Sequence, residues 1–156
     1  MNKDFEQYEI EGRDKFKALF VPQFPNIKNL TFTPIEDKRC YDATFKINDI
    51  IYIVEIKQRD FSYRNWKDML LEYDKYTSLL NIRKQLLLKA SSEVRLLYVH
   101  TYECINDYMK YITLPLNLSN FIIKDLPRSK VLDNGDKPKL ITYLHNYNEI
   151  KNNITT

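Results

Sequence analysis

The order of periodicities along this chain predicts an α/β domain, a mixed β-sheet flanked by helices. Three observations carry that expectation. Two extended apolar runs, Tyr41–Ile47 and Ile50–Glu55, flank an Asn48-Asp49 pair. A long stretch from Asn65 to about Lys89 repeats apolar residues at helical spacing. A second very apolar run, VRLLYVHTY at 94–102, follows it. Strand, long helix, strand is the order of a crossover between parallel strands.

Each element has its own signal. Residues 3–20 read as a helix with Phe5, Phe16, Leu19 and Phe20 on one side, ended by Pro22 and Pro25. A short strand is expected over Leu30–Thr33 before Pro34, then a charged turn at 36–39. Asn48 and Asp49 tolerate positive φ and close a hairpin, whose second arm IIYIVEIK is apolar enough to lie centrally in a sheet. In the long helix, capped by Ser62 or Asn65, the stripe is Trp66, Met69, Leu70, Tyr73, Tyr76, Thr77, Leu80 and Leu87. Lys75 lies off that stripe and is expected on the surface. After the 94–102 strand, residues 103–112 are expected to form a short helix, and Phe121–Ile123 and Leu140–Leu144 short peripheral strands around the loop DNGDKPK. The tail HNYNEIKNNITT is polar and expected to fray. Residues 1–145 thus form one expected domain and 146–156 a tail.

Composition narrows the function classes. The 156 residues suffice for one domain with one core, and 44% apolar content is globular rather than disordered. The twelve Tyr add apolar area with a hydroxyl. Two glycines exclude extended glycine-built phosphate loops, and no G-x-G-x-x-G or Walker stretch occurs. A net charge of +3 and a pI of 8.7 permit a polyanionic partner without demanding one. Cys40 and Cys104 stand apart with no CxxC and no histidine cluster, against a disulfide framework or zinc site. The first residues lack the apolar segment of a secretory signal, and no apolar run reaches the roughly 20 residues of a membrane span. The expectation is a cytosolic protein with no membrane partner.

Asp42 begins the first hairpin arm; Glu55 and Lys57 end the second. Folding one arm back on the other brings them together, and period-2 alternation puts Glu55 and Lys57 on one face with Ile51 and Ile53, while Val54 and Ile56 line the other. Two adjacent carboxylates repel and raise a pKa. A hard divalent cation such as Mg²⁺ relieves that repulsion and favours oxygen ligands. The lysine suits positioning an attacking water or stabilising charge at phosphorus. Charged residues at strand ends also occur for no reason beyond solvent contact, and a Glu–Lys ion pair accounts for either residue alone.

Asp42, a twelve-residue interval and Glu55-Ile56-Lys57 resemble the PD-(D/E)XK nuclease superfamily, though Tyr41 stands where that family's leading proline is usual. The order of a first helix, a meander, a long helix and a further strand over residues 5–102 is similar too. The resemblance implies a restriction endonuclease-like fold, with Asp42, Glu55 and Lys57 catalytic and Asp42, Glu55 and Ile56 on the metal. It also implies a carboxylate from the first helix. Among Glu6, Glu9, Glu11 and Asp14, Glu9 falls about 20° from Phe16 on a helical wheel, inside the sheet-facing stripe; Glu11 and Asp14 point outward. Glu9 is therefore the expected fourth member, and Gly12 on the same face permits close approach. Gln58, Arg59, Arg39 and Arg64 are the expected substrate contacts, with Lys38 nearby; arginine grips phosphate oxygens bidentately. Tyr63 and Trp66 are alternatives for base stacking. His100 and His145 receive no role.

The expected activity is hydrolysis of DNA phosphodiester bonds, as an endonuclease, with Mg²⁺ and with Mn²⁺ as substitute. The resemblance spans restriction endonucleases, junction resolvases, repair exonucleases and phage or mobile-element nucleases. It implies double-stranded or branched DNA as partner and a homodimer as the working unit. Two alternatives stand beside it: an inactive nuclease-fold DNA-binding or structural protein, and an RNA-directed nuclease.

Overall fold

The computed structural model describes residues 5–35, 41–60, 69–114, 116, 123–126, 139–144 and 146–151. Helix α1 (Phe5–Phe20) and a 3₁₀ turn (Val21–Gln23) precede β1 (Ile27–Phe32), β2 (Ala43–Ile47), β3 (Ile50–Arg59) and β4 (Met69–Glu72). Helix α2 (Tyr73–Lys89) leads to β5 (Val94–Tyr102), β6 (Ile105–Thr113), β7 (Ile123–Leu126), β8 (Lys139–Leu144) and β9 (Asn148–Lys151). Six strands form one sheet in the order β1-β2-β3-β5-β6-β9, and β4-β8-β7 form a second. Only β3 and β5 pair in parallel in the large sheet, from Ile51↔Val94 to Arg59↔Tyr102, so that sheet is mixed. The α/β class, the parallel crossover and the hairpin turn all match the sequence reading. Asn48 takes φ 54°, the left-handed conformation that Asn tolerates best after Gly.

Alternation along the central strands divides the core between two faces. Val54, Ile56, Leu97 and Val99 pack with Phe16, Leu19 and Phe20 of α1. Ile53, Leu96 and Tyr98 pack with Tyr76 and Leu79 of α2 and with Met69, Leu71 and Leu144 of the small sheet. Aromatic stacking tightens the α1 side, with Phe16 and Phe20 centroids 4.9 Å apart and Phe20 and Phe24 4.4 Å apart. The large sheet therefore lies between two separate apolar clusters, one on each face.

Five local expectations are corrected. The second helix starts at Tyr73, because Met69–Glu72 pairs instead with β8 from Met69↔Leu144 to Glu72↔Ile141. Within α2 Tyr76 and Leu79 are buried and Tyr73 and Leu80 pack against the same cluster, while Leu87, expected on the stripe, is 37% exposed and Leu88 82%. Residues 103–112 are not helical: Cys104 turns with φ 63°, and β6 returns antiparallel along β5. The polar tail does not fray over Asn148–Lys151, which pairs with β6 and buries Ile150. The first strand also begins earlier than expected, at Ile27, with a register shift near Asn29 (φ 58°). Cys104 is a free, exposed thiol. Among the described residues no helix is long and apolar enough to cross a membrane.

The face of α2 that meets the sheet is open to direct test. Leu79→Ala removes a side chain only 1% exposed and should cost about 2–5 kcal/mol in denaturant unfolding. Leu88→Ala should stay within about 0.5 kcal/mol of wild type. Equal effects of the two would contradict this orientation.

Candidate active site

The site begins where β2 stops. Ala43 opposite Val54 is the last β2–β3 pair, yet β3 runs five residues further, to Arg59. Asp42 fills the gap. Its N–H donates to the Val54 carbonyl at 2.7 Å, and its Oδ2 accepts from the Ile56 N–H at 2.7 Å. The carboxylate thus takes the place of the missing strand partner. The N–H and C=O of one strand residue point to the same side, so the Ile56 carbonyl also faces this opened edge. The Asp42 carbonyl accepts from the Thr33 N–H at 2.8 Å, which ties the end of β1 to the same point.

Glu55 is only 4% exposed. Lys57 Nζ lies 3.6 Å and Lys75 Nζ 3.4 Å from the same oxygen, Oε1. Burial foremost, and then the Asp42 carboxylate, push the Glu55 pKa up to about 8 against the opposing pull of the two lysines. Glu9 is also raised, by partial desolvation and then by Asp42. Arg13 is buried; it donates to the Thr33 carbonyl, to Thr33 Oγ1 at 3.0 Å and to Asp42 Oδ1 at 3.2 Å. Its guanidinium stands 5.7 Å from the Phe32 ring centre.

These groups line one cavity of about 350 Å³. Glu9, Asp42, Glu55, Ile56, Lys57, Gln58 and Arg59, all sequence-predicted, contribute to its wall, as do Arg13 and Lys75. Glu9 arrives by a different route than its wheel angle implied. Phe5 is 79% exposed and Glu9 is exposed too, so Glu9 borders the cavity from its open side rather than from a buried stripe. Gly12 sits where α1 passes close to the sheet: a Cβ there would lie 3.3 Å from Thr101 Oγ1 and 3.4 Å from Ile56 Cγ2.

Gln58 donates to Glu11 Oε2 at 2.9 Å, so Glu11 turns toward the site and not outward as expected. Arg59 is engaged inward: it donates to the Leu70 carbonyl and the Tyr98 hydroxyl, both at 3.1 Å, and to His100 Nε2 at 3.3 Å. That geometry makes it a brace between β3 and β4 more than a phosphate contact. His100 is buried beside it, and burial and Arg59 hold its pKa well below the usual range, so it stays neutral. Arg39 and Arg64, with Lys38, Tyr63, Trp66 and His145, lie outside the described residues.

Two site residues escaped the sequence reading. Lys75, expected on the surface, points into the cavity with its side chain 23% exposed. Its signal was the i,i+4 relation to Leu79, which was left off the helix stripe. Arg13 follows Gly12 on the buried side of α1. No local pattern announces it, because its acceptors lie 20 and 29 residues away.

The donors fit a hard cation. The acidic groups offer oxygens, and burial first and the Asp42 carboxylate second raise the pKa values of Glu9 and Glu55. Among the described residues no three Asp, Glu, His or Cys side chains form a ready cage. A cation that keeps much of its water shell, as Mg²⁺ does, needs only one or two carboxylates.

No protein-family model matches the chain. No curated protein matches it either. Among solved structures it is similar to the 1.6 Å structure of Hjc, a Holliday junction resolvase from the archaeal hyperthermophile Archaeoglobus fulgidus. That likeness has a TM-score of 0.42 and 12% identity, covering 85% of this chain and 94% of that chain.

The raised Glu55 pKa has a measurable consequence. Between the ordinary carboxylate range and about pH 8 the folded protein holds a proton that the unfolded chain releases. Metal-free protein should therefore lose stability as pH rises through that window, by up to a few kcal/mol. Glu55→Gln should flatten the profile and melt higher than wild type at pH 8. A wild-type melting temperature that rises from pH 5 to pH 8 would contradict it.

Proposed function

We propose that this chain is a divalent-metal-dependent nuclease that hydrolyses DNA phosphodiester bonds internally. One observation carries the reading. Asp42, Glu55 and Lys57, the set that resembles the PD-(D/E)XK motif, share a single cavity at the opened edge of β3. Three acids in one cavity, Glu9 included, suit a cation; the lysines beside them suit a phosphate.

Asp42, Glu55 and the Ile56 carbonyl would hold the metal, and Glu9 would add an oxygen from the open side. A bound Mg²⁺ or Mn²⁺ supplies Lewis acidity toward water and a phosphate oxygen. Lys57 orients the attacking water and stabilises the charge that builds on the phosphate. Gln58, fixed by Glu11, offers its amide at the cavity wall. The substrate class is double-stranded or branched DNA, and a homodimer would present two such cavities to it.

The inactive-scaffold reading has its own support: Asp42 already bonds to Arg13 and to the Ile56 N–H, a sufficient structural role. A Mg²⁺-dependent cleavage assay separates the two, with linear, supercoiled, branched and single-stranded DNA and RNA run in parallel. Wild type should cut at least one DNA form, and Lys57→Ala should lose on the order of 10²-fold or more in rate. Survival of every substrate favours the scaffold. Cleavage of RNA alone favours the RNA-directed alternative. Equal cutting by Lys57→Ala removes the lysine from the chemistry.

A further inference from the structure

The cavity carries more positive charge than a cation site needs. Its ionisable lining comprises Glu9, Asp42 and Glu55 against Arg13, Lys57, Arg59 and Lys75. Arg13 is committed to Thr33 and Asp42, and Arg59 to Leu70 and Tyr98. Lys57 and Lys75 remain, both on Oε1 of Glu55. One lysine suffices as counter-ion to one carboxylate. The second also sits at a cost: Lys75 occupies the first turn of α2, the positive end of the helix dipole, where a cation is disfavoured. Its stem is largely covered, which adds lost rotamer freedom.

We propose that Lys75 is a second catalytic lysine whose ammonium contacts the scissile phosphate. The proposal rests on the nuclease reading and adds a residue to it. In the hydrolysis a water oxygen forms a bond to phosphorus as the bond to the leaving alkoxide oxygen breaks. The water loses one proton and the alkoxide gains one, so the net change is addition of one water. Lys75 takes no part in that proton transfer. It stays protonated and stands from the α2 side against the extra negative charge on the non-bridging oxygens, while Lys57 acts from the strand that bears Glu55. The Glu55 carboxyl group between them places both ammonium groups at the cavity wall before substrate arrives.

The test is steady-state cleavage of the best DNA substrate by wild type, Lys75→Met, Lys75→Gln and Lys75→Arg, with Mn²⁺ affinity and melting temperature measured on each. The expected result is a fall in kcat on the order of 100-fold for Met and Gln. KM and Mn²⁺ affinity should change less than about threefold, and Arg should recover part of the rate because it keeps the charge. Unchanged kcat in Met and Gln, with wild type active, overturns the role of Lys75 and leaves the nuclease reading standing. A change confined to Mn²⁺ affinity or melting temperature also overturns it, marking Lys75 as a counter-ion of Glu55. If Met fails to fold, Gln, which keeps a donor without the charge, decides between these outcomes. A wild type that cuts nothing sinks the nuclease reading, and this inference with it.

Discussion

Everything at the site follows from the unequal lengths of two paired strands. β2 begins at Ala43, while β3 continues to Arg59. The β3 edge beyond Val54 would otherwise face the cavity with its backbone groups unpaired, an expensive state unless water or a side chain intervenes. Asp42 meets that demand with a carboxylate oxygen on the Ile56 N–H. One residue thereby satisfies the backbone and fixes a negative charge one residue from where Lys57 emerges. The parallel pairing of β3 with β5 on the other side keeps the exposed segment straight, from Glu55↔Tyr98 to Arg59↔Tyr102.

That fixed charge sets the electrostatics of its neighbours. Glu55 is buried beside Asp42, so its ionised form is disfavoured twice, by desolvation and by like charge. Two lysines from different elements converge on it in response. Arg13 compensates Asp42 from α1, and its contacts to Thr33 lock that helix to the end of β1. Arg59 spans from β3 to Leu70 and so holds β4, the segment that leads directly into the first turn of α2 and Lys75. The acids and bases are interleaved across both faces of the sheet, and each pair is also a structural tie.

The hairpin and its trio were legible in the sequence because the signals are local. Asn48-Asp49 closes the turn, and a period of two sends Glu55 and Lys57 to one side. The parallel crossover followed from the strand–helix–strand order. What failed was non-local. Met69, Leu70 and Leu71 are all buried, which fits a helix stripe and a covered strand equally well; their strand partner lies some seventy residues onward in β8. Lys75 was turned to the surface because Leu79 and Leu86, which lie on its side of α2 and pack into the core, were left off the stripe. The α1 wheel gave the direction of Glu9 but not where the sheet ends, which decides whether that direction is buried. Arg13 carried no local signal at all, since its acceptor Asp42 comes from another element.

The claim on which the rest turns is that the Asp42–Glu55 pair is a cation site held partly protonated until a metal arrives. Calorimetric titration of Mn²⁺ into the protein at several pH values between 5 and 8 tests it most directly. One site is expected, lost in Asp42→Asn, with affinity rising about tenfold per pH unit as one proton is displaced from Glu55. Absence of binding, or binding that ignores pH or survives Asp42→Asn, would contradict it.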